Sequence, residues 1–172
     1  MADRSTSRTP PSEKVDFGNE VDFFGDPIAA LNEVGFHVFQ TGENVSYGGP
    51  NNLPNIRFEI DPPGASGYST MVWVPAGPAP VNKWSDYIDA TTNGVWYFTG
   101  AFGAAPPTCN DTAPCTFSAA RAKASGGTVY TVLVGKGRDN LWIGAVDGLR
   151  LNSTIHDFEE GGVKSRGVGD DD

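Results

Sequence analysis

His37 and His156 are the only imidazoles in the chain, so any mechanism built on a nitrogen base would have to run through one of them. Nucleophilic catalysis places a hydroxyl or thiol beside such a base, with a carboxylate to orient it. No Gly-x-Ser-x-Gly elbow occurs; the nearest match, Gly64-Ala65-Ser66-Gly67, has the wrong spacing. Each histidine therefore reads as a strand-surface residue. Glycoside hydrolysis would need two carboxylates facing one another across a cleft. Glu59 lies between apolar neighbours and points outward with Arg57, while Asp86 and Asp89, three apart, fall on opposite faces of an extended strand. Gly135-Lys136-Gly137 is a turn with a lysine, not the longer loop that cradles phosphates before a helix. The expectation is a protein that is not an enzyme and needs no cofactor.

Two further groups of residues could bind or crosslink. Cys109 and Cys115 flank Asn-Asp-Thr-Ala-Pro, a turn-like stretch, and read as a local disulfide. Closing so short a loop contributes about 2 kcal/mol and implies an oxidising final setting. The aromatics have two possible uses, filling a core or stacking on a sugar ring. Trp84, beside Asn82, Lys83 and Ser85, has the most polar neighbourhood of the four tryptophans. In Val95-Trp96-Tyr97-Phe98 neighbours alternate faces, so one of Trp96 and Tyr97 should point outward. Trp84, Tyr87, Trp96 and Tyr97 are the candidate ligand-binding residues; Trp73 and Trp142 read as core.

The elements that must carry these residues are mostly strands. Ile56, Phe58 and Ile60 alternate with Arg57 and Glu59, the pattern of a half-buried strand. Further strands are expected at Phe36–Val38, Tyr68–Val74, Thr128–Val134, Leu141–Val146, Leu149–Leu151 and Thr154–Phe158. Trp84–Thr92 and Val95–Thr99 could pair as a hairpin across Asn93-Gly94. Two short helices are expected. One starts at Asp26-Pro27, with Ile28, Leu31 and Val34 on one face; the other runs from Thr116 to Ser125 and stops at Gly126-Gly127. With 22 Gly and 13 Pro among 172 residues and no strand–helix alternation, the fold class is all-β. The expected architecture is an antiparallel two-sheet sandwich of the jelly-roll type with one or two short helices.

The boundaries expected are an extended arm over 1–14, a sandwich over 15–160, and an acidic tail over 161–172 that closes with Asp170, Asp171 and Asp172. Residues 1–14 lack the apolar stretch of a signal peptide, as in a chain not exported by that route or one whose leader has been removed. A formal net charge of −9 without any Lys/Arg cluster disfavours nucleic acid, and no apolar run reaches the roughly 20 residues of a membrane helix.

Gly144-Ala145-Val146-Asp147-Gly148-Leu149, followed by Asn152 and by His156-Asp157-Phe158-Glu159, resembles the closing strands of jelly-roll domains in secreted, uncharacterised actinobacterial proteins. It is more loosely similar to concanavalin-like and carbohydrate-binding sandwiches. The resemblance implies the fold and an exterior setting, and no reaction. Sandwiches of the carbohydrate-binding kind often hold one structural calcium, which here would draw on Glu20, Asp22, Asp147 and Asp157. The plainer alternative leaves Glu20 and Asp22 solvated and has Asp147 cap the turn before Gly148.

Two functions remain open. The first is a decoration protein on a phage capsid or tail, its arm laid along like subunits or another protein surface. The second is a secreted carbohydrate-binding module with a glycan ligand; a glycan-active enzyme ranks third. The expected setting is a virion surface or the extracellular space, with no nucleic-acid or membrane partner.

Overall fold

The computed structural model describes residues 15–19, 22–64, 67–137, 140–159 and 162–169. The arm expected over 1–14 and the acidic end Asp170–Asp172 lie outside these residues. The strands are β1 (Val15–Asn19), β2 (Val34–Gln40), β3 (Asn55–Asp61), β4 (Ser69–Val74), β5 (Ile88–Asp89), β6 (Val95–Phe98), β7 (Thr128–Lys136), β8 (Gly144–Leu151), β9 (Thr154–Glu159) and β10 (Gly162–Gly167). Two short helices, α1 (Gly100–Ala104) and α2 (Phe117–Lys123), sit between β6 and β7. The first sheet has the order β1-β7-β3-β4-β6 and the second β10-β9-β8-β2-β5, all neighbours antiparallel. The chain thus forms the expected all-β sandwich of two antiparallel sheets.

Alternation explains the layers. In β3, Ile56, Phe58 and Ile60 are buried while Arg57 and Glu59 turn outward. From the second sheet Val34, Phe36 and Val38 meet them, and Phe36 packs edge-on against Trp73 with 5.2 Å between ring centroids. Each such fully buried side chain is worth about 1.5–3 kcal/mol. The two largest, Trp73 and Trp96, also need a partner for their indole N–H. Trp73 donates to the Asn93 carbonyl at 2.7 Å, and Trp96 to the Ala90 carbonyl at 2.8 Å.

Those two bonds explain why the Asn93-Gly94 hairpin does not form. The Ala90 and Asn93 carbonyls turn inward to the tryptophans, and β5 and β6 lie in different sheets: β5 pairs with β2, β6 with β4. Gly94 has φ +73°, and a Cβ there would stand 2.2 Å from the Val74 carbonyl oxygen. Asn93 spends its side chain on the backbone of Ala76, as donor to the carbonyl at 3.0 Å and acceptor from the N–H at 2.9 Å.

Other expectations also change. Ile28, Leu31 and Val34 are buried, but only Ile28–Ala30 is helical, and as a single 3-10 turn. The flanking backbone is drawn into pairing with the entry to β7, Ile28 donating to Gly127 and Val129 to Asp26. The second helix holds: the Thr116 hydroxyl accepts from the Ala119 N–H, capping α2. Leu149–Leu151 belongs to one continuous β8, which turns through Asn152-Ser153 into β9. The expected tail is corrected most. Gly162–Gly167 pairs with β9 along its length, so the sandwich extends past residue 160. Val163-Lys164-Ser165-Arg166 is itself a short alternating pattern that glycine-rich surroundings obscured.

Candidate functional site

The outer face of the second sheet gathers half of the polar and aromatic candidates: Trp84, Tyr87, Asp147 and Asp157. His37 and Phe39 point outward from β2, and across the ladder His37 stands opposite Asp147. Arg150, Ile155, Asp157 and Arg166 continue this face through β8, β9 and β10. Over its edge runs the segment 81–87. Ser85 is buried and ties this segment down: its N–H donates to the Val38 carbonyl at 2.8 Å, and its hydroxyl accepts from the Val38 N–H at 2.9 Å. Trp84 and Tyr87 are thereby brought to the rim of a cleft of about 470 Å³ that His37, Asp147, Arg150, Asp157 and Arg166 help to line.

Each group in the cleft has a defined state. The His37 Nδ1 donates to the Ser85 carbonyl at 3.1 Å, leaving Nε2 as the nitrogen available to a ligand. Gly148, with φ +58°, lies under this ring; a Cβ would come within 3.0 Å of the His37 imidazole. Tyr87 lies across Gly35, where a Cβ would meet its phenol at 2.6 Å. Burial, with Glu33 and Asp89 nearby, pushes the Tyr87 phenol well above its usual range, so it stays a donor. Its oxygen is buried and has no hydrogen-bond partner among the described residues. Arg150 pairs with Glu33 at 2.6 Å and Arg166 with Asp157 at 3.2 Å.

Asp147 has a structural task. The β8–β9 ladder ends at Leu149 and His156, and beyond it the Asp147 carboxylate takes the place of a strand carbonyl. One oxygen accepts from the Gly148 N–H at 2.7 Å and the Phe158 N–H at 3.0 Å. The calcium set is not assembled among the described residues, where no three His, Cys, Asp or Glu side chains converge. Asp147 and Asp157 sit on the outer face, whereas Asp22 lies on the side of His156, its carboxylate accepting from the Asn19 amide at 2.8 Å. Glu20 is outside the described residues.

The four aromatic candidates separate. Trp84 is 42% exposed and Tyr87 half-buried at the cleft. Trp96 is corrected to a core residue, 1% exposed between Phe58 and Phe117. Tyr97 is the outward member of that pair, but on the far sheet, near Arg57. The disulfide joins Cys109 and Cys115 as expected, with Cα atoms 5.4 Å apart.

His156 is not a surface residue. It is buried, 4% exposed, on the inner face of β9, where Nδ1 meets the Ser165 hydroxyl at 2.8 Å. A hydroxyl thus stands beside an imidazole, but its Nε2 has no partner among the described residues, so none of their carboxylates orients the ring as a triad requires. The signal for this inward position was the alternation Ile155-His156-Asp157-Phe158 itself, once Phe158 is placed inside. Compared with protein-family models, with curated proteins and with solved structures, the chain matches none.

Proposed function

We propose that this protein is a non-catalytic, surface-displayed glycan-binding domain, and that the outer face of its second sheet is the binding surface. The observation that carries the reading is Trp84, a large apolar ring left 42% exposed at the rim of a polar cleft. A sugar ring has one apolar face and an edge of hydroxyls. An exposed indole takes the face, and fixed polar groups around it take the hydroxyls. The His37 Nε2 and the Arg150 and Arg166 guanidiniums supply acceptor and donors within one cleft, with the Tyr87 ring at its wall.

Absence of turnover is supported by the state of the carboxylates. Asp147 accepts two backbone N–H groups and Asp157 pairs with Arg166, so both serve the sheet rather than proton transfer. The disulfide suits an oxidising, exterior setting. In the phage-decoration reading the contact segment is the arm over 1–14, which lies outside the described residues; the cleft favours a sugar ligand over a coat contact.

Glycan-array screening of the full chain, followed by calorimetry with the best oligosaccharide, tests the proposal. Binding should weaken at least tenfold, about 1.4 kcal/mol, in Trp84→Ala. Undiminished binding in that variant, or no glycan bound at all, would overturn it.

A further inference from the structure

At the edge where β1 faces β9 and β10, the space between the sheets is not filled by side chains of the described residues. A recess of about 540 Å³ opens there, its apolar wall formed by Phe17, Phe23, Leu149, Phe158 and Val163. Phe17 of the first sheet stands edge-on to Phe158 of the second, with centroids 5.0 Å apart, so the recess lies between the layers. It is on the opposite face of the second sheet from the Trp84 cleft and does not depend on the glycan reading. Its volume falls within the roughly 300–1,000 Å³ of sites that take small organic molecules.

One polar group breaks the apolar wall. His156 lines the recess, packs edge-on to Phe23 at 5.1 Å, and is 4% exposed. Its Nδ1 is taken by Ser165, but Nε2 has no partner among the described residues. Buried polar atoms in folded proteins are nearly always paired, so an unpaired one on the wall of an open recess gives a hydrogen-bonding group of a bound molecule a partner there. The Ser165 hydroxyl can donate to Nδ1 or accept from it, so Nε2 can be acceptor or donor. A hydroxyl serves either state. A carboxylate does not fit: Asp22 lines the neighbouring recess beside the same imidazole, and the chain carries a net charge of −9.

We infer that this recess is a second binding site, for a neutral, apolar small molecule whose single hydroxyl hydrogen-bonds to His156 Nε2 while its hydrocarbon body fills the space between Phe17, Leu149, Phe158 and Val163. The neutral dye N-phenyl-1-naphthylamine probes it by fluorescence, with 1-decanol and decanoate as competitors on the full chain. The folded protein should bind the dye saturably and release it to 1-decanol at concentrations at least tenfold below those needed for decanoate. Val163 is 39% exposed at the mouth, so Val163→Trp should abolish dye binding without loss of the near-ultraviolet circular-dichroism signal. His156→Leu should keep the dye but weaken 1-decanol about tenfold, the loss of one hydrogen bond. Absence of saturable dye binding overturns the inference, as does equal displacement by decanoate. Dye binding unchanged in Val163→Trp, or 1-decanol displacement unchanged in His156→Leu, does so too; if His156→Leu does not fold, Val163→Trp decides.

Discussion

Trp84 is fastened to Phe39 twice, through an antiparallel backbone bridge and through its ring, which tilts against the phenyl ring with centroids 5.8 Å apart. The exposed indole is therefore oriented by a residue on the sheet rather than left free on a loop. Rigid placement lowers the ordering cost of binding. Phe39→Ala should consequently weaken glycan binding several-fold although the indole itself is retained. Calorimetry that shows equal affinities for native protein and Phe39→Ala would remove this positioning role.

Trp96 provides the contrast. It is enclosed by Phe58 and Phe117 and donates to the Ala90 carbonyl, so Trp96→Ala removes both a large core side chain and a buried hydrogen bond. The expected cost is about 3–5 kcal/mol, read by urea denaturation, against under 1 kcal/mol for Trp84→Ala. Similar losses in the two variants would contradict the assignment of one ring to the core and the other to the rim.

Asp147 should discriminate between charge and hydrogen bonding. Its one oxygen accepts two backbone N–H groups, and an amide oxygen can do the same. Asp147→Ala should cost about 1–3 kcal/mol and Asp147→Asn much less. Equal losses in thermal denaturation would mean that the charge, not the acceptor, matters there.

Burial holds the His156 imidazole below its ordinary range, and Asp22 and Asp157 oppose this only in part. The folded state therefore binds fewer protons than the unfolded state once pH falls below about 6.5. Stability attributable to His156 is complete above that pH and is lost as pH drops toward the lowered folded value. The urea midpoint should fall between pH 7 and 5, and His156→Leu should flatten that fall. A variant with the same pH slope as the native protein would locate the effect elsewhere.

The Cys109–Cys115 bond closes a small loop whose ends are already held, Cys115 by its bridge to Trp96 and Cys109 by burial. Removing it in the double serine variant should lower stability by about 2 kcal/mol and leave the far-ultraviolet spectrum unchanged. Loss of the β-sheet signal on reduction would show that the loop is needed to fold, not only to stabilise.

The amino-acid sequence alone determined what depends on neighbours. Ile56, Phe58 and Ile60 announce a half-buried strand because faces alternate with period two; Thr116 announces a helix start because its hydroxyl reaches an N–H three residues on. The polar company of Trp84 made it the best candidate among the tryptophans for an exposed ring, and the spacing of Cys109 and Cys115 allowed a bond within one turn. What only the tertiary structure decided is which strands lie side by side. That assignment sends Trp96 inward and Tyr97 outward, and it gives the carbonyls of Ala90 and Asn93 to two indoles in place of a hairpin. It also sets His37 against Asp147, turns His156 inside, and puts Asp22 on the other side of a sheet from Asp157. Alternation fixes that successive side chains differ in face, but the face that is buried is set by the partner layer, and that layer comes from residues distant in the chain.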